Sequence, residues 1–373
     1  MTLRFGATLL LIGLTTAALA QGGDVDLRPE GMQFDNLSVQ DLPIGVTPET
    51  PGVAPWNEAL AISDDVFGPK ERADEAYGAF QRGYFLTALA LALPRAERGD
   101  PAAQTLIGEI YADGLGIGQN LATASGWYSL ASKNGDPLAT FELAQMYQDG
   151  KGVPKSRQRA AELFQKAADQ GNIPAKYNLG LLYVEGQYVT PNLVKAAELI
   201  KEAAEAEMPE AQYDYGSMLL EGAGVPPDPK EGARWIGLAA EEGLVEAQVD
   251  YATLLYIGDK IPRDREAATK WYARAAGAGN AVAQNRYGKL LAAGEGIETD
   301  LESAAMWRAL ARRQGLNDAQ LDKMLVSIPA DELARAEERA RYWPGNPPTA
   351  VAAADVPPAA SEAQPASETK PAP

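Results

Sequence analysis

Residues 211–246 read AQYDYGSMLLEGAGVPPDPKEGARWIGLAAEEGLVE, and residues 247–282 read AQVDYATLLYIGDKIPRDREAATKWYARAAGAGNAV. Both stretches open on Ala-Gln, and both carry a tryptophan at the same later position. The same spacing of 36 residues continues on either side and produces one column of alanines: Ala103, Ala139, Ala175, Ala211, Ala247, Ala283 and Ala319. A period of this length predicts stacked supersecondary repeats, none of which can bury its apolar face alone.

Each repeat is predicted to contain two helices, A and B. In one repeat helix A carries Ala139, Leu143, Met146 and Tyr147 on a single helical face. A glycine column then suits the left-handed backbone that ends a helix: Gly114, Gly150, Gly186, Gly222, Gly258 and Gly294. A column of good N-cap residues follows, at which helix B should begin: Asn120, Ser156, Asn192, Asp228, Asp264 and Asp300.

Further columns indicate how the two helices pack. A column of small residues in helix A predicts close contact between helices: Gly108, Ala144, Gly180, Gly216, Ala252 and Gly288. The aromatic residues of helix B, such as Trp271 and Tyr272, lie on its apolar stripe and are assigned to the core. Glu207 replaces a glycine that recurs after helix B, so a different turn is expected there. The predicted fold is all-α, an α/α right-handed superhelix (solenoid) of antiparallel helical hairpins with a 36-residue period.

The repeats also define the expected domain organisation. Residues 1–20 are predicted to be a signal peptide, because Arg4 precedes a short apolar run and Ala18-Leu19-Ala20 suits cleavage. Next come an extended or disordered segment over residues 21–70, which is either docked on the repeats or free, and a degenerate N-terminal repeat over residues 71–102. Six full repeats are expected over residues 103–318. They are followed by C-terminal capping helices over residues 319–343, with Asp331 as an N-cap, and by a disordered Pro/Ala-rich tail over residues 344–373. An exported protein is expected, periplasmic or else secreted, without stable membrane insertion after cleavage.

Composition restricts the available chemistry. The 373 residues include neither Cys nor His, which excludes disulfides, thiol nucleophiles and metal sites built from those residues. A net charge of −18 argues against nucleic acid as a partner. The glycines match turns rather than a phosphate-binding loop. We therefore predict no catalytic residues, no cofactor and no metal.

The pattern of the repeat resembles that of the Sel-one-like repeat family, a branch of the tetratricopeptide superfamily. Matching residues in one helix A are Ala139, Leu143, Tyr147, Gly150, Gly152 and Val153. Matching residues around one helix B are Asp264, Ala267, Ala268, Trp271, Tyr272, Ala275, Ala276 and Gly279. The resemblance covers residues 103–318 and implies an α/α superhelix that scaffolds protein complexes, with helix A lining its concave groove.

Columns that packing leaves free can vary and so serve recognition. On helix A these are positions 106, 109 and 113 and their equivalents, at helical offsets that share one face. We predict a partner-binding surface there, and the alternative is a merely solvated face. Its candidate residues are Glu142, Asn178, Asp214, Asp250, Arg286, Gln145, Ser217, Thr253 and Lys289. The acidic character in the middle favours a basic or extended protein segment as the partner.

The expected function is a non-enzymatic periplasmic scaffold or adaptor for protein–protein interaction. Two alternatives stay open. One is a periplasmic regulator that restrains a membrane sensor, and the other is a cell-wall hydrolase that uses carboxylates, which would need a convergent pair of them.

Overall fold

A computed structural model describes residues 74–186 and 188–345. Within those ranges helices joined by turns and loops make up the chain and no strand occurs, which confirms the all-α prediction. No helix in the same ranges is both long and apolar enough to cross a bilayer. The predicted signal peptide, the predicted extended or disordered segment and nearly all of the predicted tail lie outside the described residues.

The helices are numbered α1 to α16 in chain order, and most of them have the same length. From the N-terminus they are Glu75–Gln81, Phe85–Glu97, Pro101–Asp113, Leu121–Lys133, Pro137–Asp149, Arg157–Asp169, Ile173–Glu185, Leu193–Glu205, Pro209–Glu221, Pro229–Glu241, Val245–Ile257, Arg265–Gly277, Ala281–Ala293, Leu301–Arg313, Ala319–Met324 and Ala330–Tyr342. The odd-numbered helices from α3 to α13 are the A helices of the repeats, and the even-numbered helices from α4 to α14 are the B helices.

Local signals in the sequence set these boundaries. All six predicted N-caps precede helix B, and each side chain accepts a hydrogen bond from a backbone N–H in the first turn. The predicted glycines after helix A all have a left-handed backbone, with φ between 66° and 77°. The helix ends therefore follow from backbone groups that are satisfied a few residues away.

Small residues in helix A bring the two helices of a hairpin together. A Cβ atom on Gly216 would lie 2.7 Å from the carbonyl oxygen of Gly232, so α9 and α10 touch backbone to backbone. Beside that contact, the rings of Tyr215 and Trp235 pack edge to face with centroids 5.7 Å apart. Trp127 and Trp235 belong to the core as predicted, with exposed fractions of 0% and 9%, whereas Trp271 is half-buried.

The chain forms two compact units, and the division between them follows Ala247, inside α11. The first unit contains hairpins from α1–α2 to α9–α10. The second contains α12 to α16, where α16 packs on α14 and Arg335 pairs with Glu302 at 2.8 Å. Both units repeat one building block, a hairpin whose core is alanine, aliphatic and aromatic.

Two local predictions are wrong. Glu207 adopts φ of 62°, and Met208 N donates to Ala203 O just as Asn172 N donates to Ala167 O, so the turn keeps the form of its glycine equivalents. Packing of the flanking helices therefore outweighs the local preference of Glu207. Asp331 is not an N-cap, because α16 begins at Ala330 and Asp331 instead pairs with Arg335 at 2.8 Å.

Candidate functional site

Within each unit the predicted residues lie on one side of the A helices, and we call this side the helix-A face of that unit. It comprises the third and sixth positions after the alanine column and the residues that contact them. Of the nine predicted residues, Gln145 is exposed and the other eight are half-buried. The face is therefore partly packed rather than simply solvated, and several of its polar groups have partners within the chain.

Asp214 on α9 is the most strongly perturbed predicted residue of the first unit. Its Oδ2 atom accepts a 2.9 Å hydrogen bond from the hydroxyl of Tyr177 on α7. Burial raises the pKa of Asp214 to about 6, and the charge of Glu210 acts in the same direction, while the Tyr177 hydrogen bond opposes the rise. This carboxylate therefore costs free energy to ionise in the folded chain.

Glu142 on α5 belongs to a group of carboxylates that we call the acidic patch, formed by Glu109, Asp113 and Glu142. Burial raises the pKa of Glu142, and the charges of Glu109 and Asp113 raise it further. Glu109 has a raised pKa for the same reasons, burial first and then Asp113. Within residues 74–186 and 188–345, none of the three carboxylates forms an ion pair with a cationic side chain.

Two other predicted residues of the first unit are hydrogen-bonded to their own helices. The Asn178 side chain donates to the carbonyl of Pro174 at 2.8 Å, and the Ser217 hydroxyl donates to that of Tyr213 at 3.0 Å. Gln145 is left as the predicted residue most open to solvent in this unit.

In the second unit three of the predicted residues are held by contacts within the chain. Arg286 donates to the hydroxyl groups of Thr253, at 2.5 Å, and Tyr272, at 3.1 Å, and its guanidinium lies over the Tyr272 ring, 5.6 Å from the centroid. Lys289 pairs with Asp318 at 2.5 Å. Asp250 is half-buried. These cations are therefore neutralised or stacked internally, unlike the carboxylates of the acidic patch.

The face has few features of a catalytic or metal site. Within the described ranges, no group of three or more carboxylates is arranged to hold a metal ion. Cavities of about 580 and 300 Å³ occur in the second unit, lined by residues between 266 and 343, away from the acidic patch. A surface of this kind suits contact with another macromolecule better than enclosure of a small substrate.

The family model of the Sel1 repeat matches six consecutive segments, 101–136, 137–172, 173–208, 209–244, 245–280 and 281–316. The chain belongs to the Sel1 repeat family. Each Sel1 repeat holds one A helix, one B helix and the turn that follows, and begins two residues before the alanine column. The predicted resemblance and the α-solenoid fold are both confirmed.

Solved Sel1 repeat structures resemble this one. A Sel1 repeat protein from Oxalobacter formigenes is 30% identical over 65% of this chain and its own entire length, with a TM-score of 0.59. A protective antigen of uropathogenic Escherichia coli with an SLR fold is 25% identical over 77% of this chain and 69% of its own, with a TM-score of 0.50. Comparison with curated proteins gave no match. Sel1 repeat proteins generally mediate protein–protein interaction and are typically non-catalytic.

Sequence reasoning missed the tyrosines that contact this face. Tyr177 was not singled out, and Tyr128 was assigned to packing with its helix-B column, although the next three members of that column are Phe164, Ile200 and Ile236. That change from hydroxyl to hydrocarbon was the available signal. Glu109 and Asp113 lie in the predicted columns but not among the named candidates.

Proposed function

We propose that this protein is an exported, periplasmic adaptor that binds an extended, cationic segment of another protein along its helix-A face. The general role, binding to another protein, is the one that is typical of the Sel1 repeat family. The acidic residues of the helix-A face support a cationic segment as the partner. Export is inferred from the residues that resemble a signal peptide. The binding energy would come from many modest contacts on a surface that is already formed.

One observation carries the proposal: the acidic patch is partly buried and has no cationic partner among the described residues. Burying carboxylates without a counter-charge destabilises the folded chain. Two other half-buried carboxylates do have a cationic partner, since Asp100 pairs with Arg95 at 2.7 Å and Asp318 pairs with Lys289. A cation supplied by a partner would restore the missing compensation.

Site-specific photocrosslinking in intact cells tests the binding face. A photoreactive residue at Gln145, which is exposed on α5, should capture a specific protein. The control position is Lys201 on α8, which is 49% exposed and lies on a B helix of the same unit. Equal capture from the two positions, or none from Gln145, would contradict the proposed face.

Export is tested separately. The mature protein should begin at Gln21 and fractionate with the periplasm, and N-terminal sequencing of the purified protein checks this. An intact Met1 on the mature chain would remove the basis for a periplasmic role.

The two alternatives make different predictions. A regulator that restrains a membrane sensor predicts constitutive signalling when the gene is deleted, whereas a passive adaptor does not. A wall hydrolase that uses the acidic patch predicts release of fragments from purified wall material, and Glu142→Gln would abolish that release.

A further inference from the structure

The two compact units carry different versions of one arrangement on the helix-A face. Tyr272 stands four repeats after Tyr128, and in the same register Arg286 corresponds to Glu142 and Thr253 to Glu109. In the second unit the Arg286 guanidinium lies over the Tyr272 ring and donates to its hydroxyl. In the first unit the residue at the position of Arg286 is a glutamate.

Tyr128 keeps the buried position of its equivalent without the arginine. The two tyrosines are 4% and 3% exposed, respectively. Gly108 fixes the Tyr128 ring on α3, since a Cβ atom there would lie 2.6 Å from its Cε1 atom. Within the described residues no hydrogen bond is made by the Tyr128 hydroxyl, whereas the Tyr272 hydroxyl bonds to both Thr253 and Arg286. The Tyr128 ring is therefore buried like that of its equivalent, while its hydroxyl lacks the two partners that the Tyr272 hydroxyl has.

The charges of the acidic patch act on this same tyrosine. Burial raises the pKa of Tyr128, and the charges of Glu142, Glu109 and Asp113 raise it further, so all three carboxylates act on the phenol oxygen. Glu109 and Asp113 are one turn apart on α3, and Glu142 comes from α5, the next A helix. A phenol and three carboxylates from three helices are thus within electrostatic range of one another, and among the described residues none of the three carboxylates is paired with a cationic side chain.

We propose that Tyr128, Glu109, Asp113 and Glu142 form a receptor for an arginine side chain from an extended segment of a protein partner. The inference rests on the proposed function and specifies its recognition chemistry. The guanidinium would lie over the Tyr128 ring and donate to its hydroxyl, as Arg286 does at Tyr272. It would also donate hydrogen bonds to the carboxylates and neutralise their charge. A planar guanidinium, with its five N–H donors, matches carboxylates better than the ammonium group of a lysine does.

Peptide titration of the full mature chain tests the receptor. The probes are three acetylated and amidated Gly-Ser peptides that carry one arginine, one lysine or one uncharged citrulline at the same position. Nuclear magnetic resonance of ring-labelled tyrosine reports on the site directly. The arginine peptide should bind at least about tenfold more tightly than the citrulline peptide, with lysine between them, and should shift the Tyr128 signal. Equal binding of arginine and citrulline peptides would overturn the proposal.

Matched variants locate the binding. Glu142→Gln should weaken binding of the arginine peptide about fivefold or more, whereas Glu162→Gln, which changes an exposed carboxylate on helix B of the same repeat, should leave it unchanged. Glu142→Arg combined with Glu109→Thr copies the second unit, so it should fill the site from within, block the peptide and raise the melting temperature. Unchanged peptide binding in Glu142→Gln or in the double variant would refute the assignment.

The chain's own N-terminal segment is a competing occupant, because it carries Arg28, Lys70 and Arg72. A variant of the full chain in which these three cationic residues are changed to glutamine distinguishes the partner's arginine from the chain's own segment. Equal peptide affinity in this variant supports a partner, whereas binding that appears only in the variant assigns the site to the chain itself and overturns the proposal. Crosslinking from Gln145 without arginine selectivity would leave the adaptor function standing and remove only the receptor.

Discussion

The hydroxyl of Tyr177 on α7 donates a 2.9 Å hydrogen bond to Oδ2 of Asp214 on α9, and so joins the A helices of two successive repeats. Burial nevertheless dominates and raises the pKa of Asp214 from 3.8 to about 6, with Glu210 adding to the rise. The native state therefore binds this proton more tightly than the unfolded chain does. The contribution of Asp214 to the free energy of unfolding falls as pH rises from 3.8 through about 6.

Asp214→Asn should remove that dependence. At about pH 8 the variant should be more stable than the wild type, with about 3 kcal/mol as the upper bound set by the size of the pKa rise. At about pH 4 the difference should shrink toward zero, because the wild-type carboxyl is then protonated. Urea denaturation of the variant and the wild type at both pH values measures this difference in the free energy of unfolding. Tyr177→Phe, which removes the opposing hydrogen bond, should move the transition to higher pH, and the same advantage at both pH values would contradict the assignment.

Glu207 holds a left-handed backbone that its equivalents Gly171 and Gly243 adopt without a Cβ atom. Glu207→Gly should stabilise the first unit by about 1 kcal/mol, because the left-handed conformation costs an L-residue roughly 1–2 kcal/mol and the unfolded chain gains some freedom in return. Thermal and urea unfolding measure the gain. Glu207→Ala keeps the Cβ atom and should give no comparable gain, so equal gains from glycine and alanine would disprove the strain.

Gly224 lies directly against the preceding hairpin. A Cβ atom there would lie 2.1 Å from the carbonyl oxygen of Leu193, a backbone atom that cannot rotate away. Gly224→Ala should destabilise the first unit by roughly 3 kcal/mol or more, since it combines a left-handed backbone with overpacking. Gly243→Ala is the control, because it also has a positive φ but no atom within 4 Å. It should cost only about 1–2 kcal/mol, and equal losses would show that the close approach does not matter.

Asp264 caps α12 by accepting a 2.9 Å hydrogen bond from the backbone N–H of Ala267. Asp264→Ala should lower the stability of the second unit by about 1 kcal/mol, while Asp264→Asn, which keeps an oxygen acceptor, should cost little. Differential scanning calorimetry of the two variants makes the comparison. A loss for asparagine as large as that for alanine would attribute the effect to charge rather than to the cap.

Much of the fold follows from groups that are close together in sequence. An N-cap such as Asp264 accepts from an N–H three residues later, and a glycine such as Gly222 donates its N–H to Met218 O, four residues earlier. These interactions do not depend on which repeat lies next door. The 36-residue spacing then repeats them, and for this reason the helix boundaries were predictable without a structure.

The candidate site was only partly predictable. Their spacing assigned Asp214 and Glu142 to one side of helix A, but their environments depend on side chains from other helices. Tyr177 meets Asp214 across 37 residues of sequence, and Arg286 meets Thr253 across 33. The prediction of a different turn at Glu207 was wrong for the same reason, because the packing of the helices on either side of the turn outweighs the conformational preference of the residue in it.

The sequence by itself determined the family, the helices and the face on which variable polar residues would collect, because caps, glycines and apolar periods are local. Only the tertiary structure decided that Tyr272 is paired with an arginine of its own chain while Tyr128 faces three carboxylates. Both tyrosines occupy the same position in their repeats, so the tyrosine column alone does not distinguish them, and the residues that do, Glu142 and Arg286, lie in the following repeat. The two tyrosines differ in the side chains that the neighbouring helices bring to them. Those neighbours come from successive repeats, so only the packing of the repeats shows which buried charges lack a counter-charge.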